Sequence, residues 1–174
     1  MLIGAFVPPT VSRERLERVL AFYPYDFIHV DSQHLPLNEE RLAELCVVAA
    51  EMELPVILRI KHPRLAFMVG AFADLGLSGV EGPQVESEDT AHEALQYFYY
   101  PPQGKRSSGS YNSFGFAPTL GKDTRREFAD CGVLMLQVES LEAITIAGRL
   151  AKPGVDCLSW GAAPHSADGL QSRR

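Results

Sequence analysis

A wall of parallel strands covered by helices, the α/β barrel, is the fold class this sequence predicts, and three observations predict it. Strand-like apolar runs alternate with segments of helical period along the whole chain. The strand-like runs are continuously apolar instead of alternating with polar residues, the pattern of strands covered on both faces. No glycine-rich G-x-G-x-x-G turn follows any of them, which argues against a doubly wound sheet, and about six β/α units of roughly 25–30 residues suit a barrel. A complete eight-fold barrel takes ~250 residues. With 174 residues, the expectation is an incomplete barrel, about two units short.

Residues 2–7 form the first run and end in Pro8-Pro9, as a strand leaving a sheet does. Ser12 is placed to cap a helix whose Leu16, Val19, Leu20 and Tyr23 recur at helical spacing. Residues 27–31 are the second strand, and Asn38 opens a helix with an apolar face of Leu42, Leu45, Cys46 and Ala49. Residues 55–60 are the third strand. Pro63 suits the first turn of one helix carrying Leu65, Met68, Phe72 and Leu75, which Gly76 ends. Residues 77–81 make the fourth strand, followed by a helix with Ala91, Ala94, Leu95 and Phe98 inward. After an irregular segment from Pro101 to about Gly121, residues 133–139 are the fifth strand, 141–150 a single helix and 155–160 the sixth strand.

Composition is that of an ordinary globular protein, with 46% hydrophobic and 22% charged residues. No apolar run approaches the ~20 residues of a membrane span, and no signal-like leader is seen at the N-terminus, so a cytoplasmic location is expected. A net charge of −6 without a basic stripe argues against nucleic acid as a partner. Cys46, Cys131 and Cys157 are scattered, lack a C-x-x-C spacing and read as buried thiols.

The segment YDFIHVDSQHLP is the chemically richest: an apolar strand breaks into Asp31-Ser32-Gln33-His34, at the carboxyl end where ligands bind in such folds. The other strand tips add Arg59, then Gln137 and Glu139, then Gly161. A base, a cation and a carboxylate thus converge on one rim. Plainer readings stand beside these: Asp31 capping a turn, His34 as a solvated loop residue, Arg59 pairing with a neighbouring carboxylate, Glu139 as an exposed junction residue. Ser140 and Glu142 need only helix capping and the helix dipole. His29 reads as a satisfied core histidine, His62 and His92 as surface.

Taken in order, YDFIHVDSQHLP, PVILRI, GVEGPQVESEDTA, YYPPQGKRSSGS, VLMLQVES and GVDCLSWG resemble the HpcH/HpaI aldolase family, related to the citrate lyase β-subunit group. The resemblance covers residues 1–161 as one barrel domain, with 162–174 as an atypical tail. It implies a TIM barrel carrying a metal-dependent, class II aldolase that cleaves a hydroxy-2-oxo acid to pyruvate or a related 2-oxo acid plus an aldehyde. It also implies Glu139 as a ligand of Mg²⁺, Mn²⁺ or possibly Co²⁺, Arg59 beside the developing oxyanion, His34 moving the proton and Asp31 orienting it. Gln137 and Gly161 would border the substrate, and the family's members are commonly homo-oligomers.

Two departures matter. Gln33 stands where the family commonly has the glutamate of D-x-E-H. Gly161-Ala162-Ala163-Pro164 replaces G-P-A-D, so the second metal carboxylate is missing from its place, and Asp168 would need another loop path to substitute. The tail leaves the family pattern in mid-motif, as a frame shift or truncation would make it do, and unpaired sheet edges would then favour association. Beside the aldolase, the open alternatives are an impaired, non-catalytic homologue, a relative running a condensation or decarboxylation, and an unrelated parallel-sheet binding protein.

Overall fold

A computed structural model describes residues 1–107, 128 and 130–161. Six strands, β1 (Gly4–Val7), β2 (Phe27–Asp31), β3 (Val56–Arg59), β4 (Gly79–Gly82), β5 (Val133–Val138) and β6 (Cys157–Trp160), form one sheet in the order β1-β2-β3-β4-β5-β6. Every neighbouring pair is parallel. Chain order and spatial order coincide, so the sheet has no switch point and is a stretch of barrel wall. The tail 162–174, with Pro164 and Asp168, and most of the irregular segment lie outside the described residues.

The two faces of the wall differ. Val7, Ile28, Val30, Val56, Leu58, Val80, Leu134, Leu136 and Val138 pack under the helices in one apolar core. The alternate residues line the other face, where the register sets His29 beside Ile57, Asp31 beside Arg59, Arg59 beside Glu81, and Gln137 beside Ser159. The face away from the helices is withdrawn from solvent too, as expected of covered strands, but it carries a row of polar groups, of which Asp31, Glu81 and Gln137 are buried.

Caps explain where the helices start. Ser12 accepts from the Arg15 N–H at the head of α1 (Arg13–Leu20), Asn38 from Arg41 at α2 (Glu39–Glu51), and Ser87 from Thr90 at α4 (Glu88–Phe98). Leu42, Leu45, Cys46 and Ala49 are all buried, and burial pushes the Cys46 thiol up to about 12. Cys131, by contrast, is exposed and Cys157 half-buried, which corrects the reading of three buried thiols.

Two expected helices are interrupted. From Pro63 the chain makes a 3₁₀ turn, Pro63–Met68, and only then the short α3 (Val69–Ala73). His62, expected at the surface, caps that turn through Nδ1, 3.1 Å from the Arg64 N–H. After β5, α5 (Leu141–Thr145) stops at Ile146 and α6 (Ala147–Leu150) follows. The Thr145 hydroxyl donates to the Glu142 carbonyl at 2.7 Å, a local bond that competes with the backbone ladder at the break.

Arg106 ties the end of α4 back to α3. Its guanidinium lies 4.5 Å from the Tyr100 ring and 4.3 Å from Phe128 and pairs with Asp74 at 2.5 Å. Gly70 makes room for this, because a Cβ there would collide with the Tyr97 carbonyl and lie 2.9 Å from Arg106 Cγ. Gly148, in α6, has nothing within 4 Å of a Cβ. Gly70→Ala is expected to lower stability by about 1–3 kcal/mol, whereas Gly148→Ala gains about 0.5–1 kcal/mol from helix propensity. Urea denaturation of both variants checks the contrast, and equal shifts would refute the packing account.

Candidate active site

The carboxyl ends of β2 and β3 are in register, which sets Asp31 against Arg59. The guanidinium grips the carboxylate with a hydrogen bond, Nε to Oδ1 at 2.9 Å, and an ion-pair contact, Nη2 to Oδ2 at 2.8 Å. The Gln33 N–H donates to the same Oδ1 at 2.8 Å, and the Ser32 hydroxyl donates to the Arg59 carbonyl at 2.7 Å, so the chain leaving β2 is stitched to the end of β3. Burial alone would raise the Asp31 carboxyl. The Arg59 bonds and charge, the Gln33 N–H and the nearby His34 outweigh it and hold the group below its ordinary value.

Across the wall, at the end of β5, Gln137 is buried and accepts from Arg59 Nη1 at 3.4 Å. With its amide turned so that nitrogen faces Glu139, it donates to Oε1 at 3.2 Å while its oxygen keeps Arg59 at 3.3 Å. Asp31, Arg59, Gln137 and Glu139 therefore form one continuous line along the rim. Gly161 completes it by lacking a side chain: a Cβ there would run into the Glu139 carboxylate and come within 2.6 Å of Gln137 Nε2. His34 is exposed and near enough for its charge to act on Asp31, but Asp31 gives its oxygens to Arg59 and Gln33 and makes no hydrogen bond to His34.

Beneath this rim lies a second polar layer that the strand tips alone do not announce. His29 Nε2 is 2.9 Å from Glu81 Oε2, and the Ser159 hydroxyl donates to Glu81 Oε1. His29 is only half satisfied, because its buried Nδ1 has no partner, and Phe6 stacks on its ring at 4.7 Å. Burial favours the neutral Glu81 carboxyl, yet the bonds from His29 and Ser159 and the charges of His29 and Arg59 prevail and hold it below its ordinary value. The available signal in the sequence is a lone carboxylate inside an apolar strand, in LSGVEG.

Electrostatics follow from this geometry. Burial tends to lower the Arg59 pKa, but Asp31, Glu81 and Glu139 all act on the guanidinium and raise it. No cluster of three His, Cys, Asp or Glu side chains that could hold a metal ion exists among the described residues. Of the rim carboxylates, Asp31 is paired with Arg59, whereas Glu139 pairs with no side-chain cation. A hard, hydrated cation such as Mg²⁺ takes one or two protein carboxylates and completes its shell from water and substrate, so Glu139 is the rim group that could hold one.

The family model described as HpcH/HpaI aldolase/citrate lyase matches residues 3–173. A 4-hydroxy-2-oxo-heptane-1,7-dioate aldolase of Salmonella arizonae is 27% identical over 146 residues, covering 83% of this chain and 55% of the relative. A hydroxypyruvate/pyruvate aldolase of Paraburkholderia phytofirmans is 28% identical over 128 residues, covering 72% of this chain and 47% of the relative. The chain thus spans about half the length of these curated relatives. Among solved structures, the HpcH/HpaI aldolase from Desulfitobacterium hafniense DCB-2 superposes with a TM-score of 0.81 at 25% identity, covering 97% of this chain and 65% of the other.

The two lowered carboxyls fix how stability responds to acid. Each contributes stability above its ordinary value, 3.8 for Asp31 and 4.5 for Glu81, and loses it as pH falls through the lower folded value. Melting temperature should therefore fall on acidification through this range. Asp31→Asn should remove part of that slope and cost about 3 kcal/mol at neutral pH by leaving Arg59 unpaired. An acid slope identical to wild type in that variant would count against the ion pair.

Proposed function

Because the chain belongs to the HpcH/HpaI aldolase/citrate lyase family, we propose that its rim serves a metal-dependent carbon–carbon lyase. The substrate class is a hydroxy-2-oxo acid, and the products are pyruvate or a related 2-oxo acid and an aldehyde. The observation that carries this reading is the line Asp31–Arg59–Gln137–Glu139 across three strand ends, a fixed cation near a carboxylate that pairs with no side-chain cation.

Glu139 would hold the divalent ion, Mg²⁺ or Mn²⁺ or Co²⁺, and the bound ion would draw electron density from the 2-oxo group as a Lewis acid. Arg59, immobilised by Asp31, presents its guanidinium to the oxygen on which negative charge develops. His34, exposed at the mouth, takes the proton from the substrate hydroxyl as the carbon–carbon bond breaks. The electron pair of that bond moves to the 2-oxo group, the hydroxyl carbon leaves as aldehyde, and the proton held by His34 is returned to carbon to complete the 2-oxo acid. Gln137 and Gly161 shape the floor against which the 2-oxo acid rests. No helix among the described residues is long and apolar enough to cross a membrane. The reading carries with it a cytoplasmic, homo-oligomeric protein without nucleic-acid or membrane partners.

The test is pyruvate release from a 4-hydroxy-2-oxo acid by chelator-stripped protein, with and without added Mg²⁺, Mn²⁺ or Co²⁺. Metal-stimulated release is expected, abolished in Glu139→Ala and reduced by roughly 10²-fold in Arg59→Lys, which keeps the charge but loses the two-pronged grip. Release that persists unchanged in Glu139→Ala, or no release with any of the three ions, would remove the reading.

A further inference from the structure

The layer formed by His29, Glu81 and Ser159 has no part in the chemistry above. Its side chains come from β2, β4 and β6. In a flat sheet, strands two places apart lie about 9.5 Å from each other, farther than a short serine side chain and a glutamate span with a hydrogen bond between them. Yet one carboxylate reaches both ways: His29 Nε2 is 2.9 Å from Glu81 Oε2, and the Ser159 hydroxyl donates to Oε1. The bridge therefore exists only on a wall that curves toward this face. Glycine marks the same crowding. A Cβ at Gly79, two residues before Glu81 on the same face, would lie 2.7 Å from the Val133 carbonyl and 3.3 Å from Ile57.

Packing alone does not call for a carboxylate here. Interior levels of a barrel are usually filled by bulky apolar side chains, and a polar network left half satisfied, as at the unpartnered Nδ1 of His29, is worse for stability than an apolar layer. What apolar contacts lack is direction, whereas a hydrogen bond holds one distance and weakens steeply off line. Glu81 is 4% exposed, so water competes little for either bond. The imidazole donates through Nε2 both in its neutral Nε2–H form and when protonated, so the bridge does not turn on the charge of His29.

The tied strands carry the rim. His29 lies two residues before Asp31 and Ser159 two before Gly161, while Glu81 is in register with Arg59 on one side and Met135 on the other. Curvature at this level decides how closely Arg59 approaches Gln137 and Glu139, and the Arg59–Gln137 bond, at 3.4 Å, is already long. A small flattening would part them. We propose that Glu81 is a positioning residue: it ties β2 to β6 across the inner face and holds the wall curved enough for Arg59 and Glu139 to share one mouth. The catalytic consequence rests on the lyase reading; the tie itself does not.

The experiment measures the tie and its consequence separately. Spin labels at Leu35→Cys and Trp160→Cys, exposed positions beyond β2 and at the end of β6, report the span of the wall by pulsed electron resonance. A Cys131→Ser, Cys157→Ser background leaves only the buried Cys46 beside them. Glu81→Ala cuts the tie. The span should lengthen by more than about 1 Å, and in the unlabelled chain kcat for metal-stimulated pyruvate release should fall roughly 10²-fold, with KM changed less than about threefold. Glu81→Gln accepts from His29 through its oxygen and donates to Ser159 through its amide, so it should restore the span and bring kcat within about threefold of wild type. Where Glu81→Ala fails to fold, Ser159→Ala severs the β6 end alone and carries the same lengthening. An unchanged span in the severed variant, or Glu81→Gln lengthening it as Glu81→Ala does, overturns the inference whether or not the chain releases pyruvate. A lengthened span with kcat unchanged overturns the positioning role. A lengthened span, restored by Glu81→Gln, in a chain that releases no pyruvate removes the lyase reading and leaves the tie standing.

Discussion

The grip of Arg59 on Asp31 is the constraint on which the rest of the rim depends. Two strand ends in register bring the groups together, and one hydrogen bond with an ion-pair contact beside it fixes the guanidinium. With its plane fixed, Nη1 is left to face across the wall, and it meets the buried amide of Gln137, whose other end faces Glu139. Removing one partner leaves a charge stranded away from water, whereas replacing both by apolar groups need cost nothing. The pair therefore contributes arrangement more than stability, which suits a residue whose task is to hold still beside a reacting group.

The two faces of the wall divide the work. On the helix side, branched apolar residues such as Ile28, Leu58 and Val80 are fully buried and supply the hydrophobic stabilisation. On the other side, the same strands carry His29, Arg59, Glu81 and Gln137 with hardly more exposure, held by each other instead of by water. A single-residue slip of β2 against β3 would exchange these faces and drive charges into the apolar layer. The hydrophobic pattern and the polar network thus enforce one register.

Much of this was legible in the sequence, for physical reasons. Continuous apolar runs located all six strands, and Ser12 and Asn38 announced helix starts because short oxygen-bearing side chains satisfy free N–H groups there. Asp31, Arg59, Gln137 and Glu139 stood out because a polar side chain at the end of a buried strand loses water at a cost that the apolar residues before it do not bear. What escaped was what depends on neighbours remote in sequence. His29 and Glu81 are 52 positions apart and only the strand register makes them partners. The break at Ile146 turns on a side-chain bond from Thr145 that helical periodicity does not reveal. The commitment of Asp31 to Arg59, leaving His34 to the solvent, turns on geometry that spacing along the chain does not encode.

Gly161 carries no functional group, yet Glu139 and Gln137 occupy the volume that any side chain there would need. Every missense change at a glycine codon adds atoms, so none is conservative at this position. In a saturation mutagenesis screen Gly161 should score alongside the acidic and cationic residues it adjoins, and a ranking by sensitivity alone would mistake a void for a participant. The distinguishing mark is chemical: sensitivity at Gly161 should scale with the volume added and ignore its polarity, whereas at Glu139 it should follow charge.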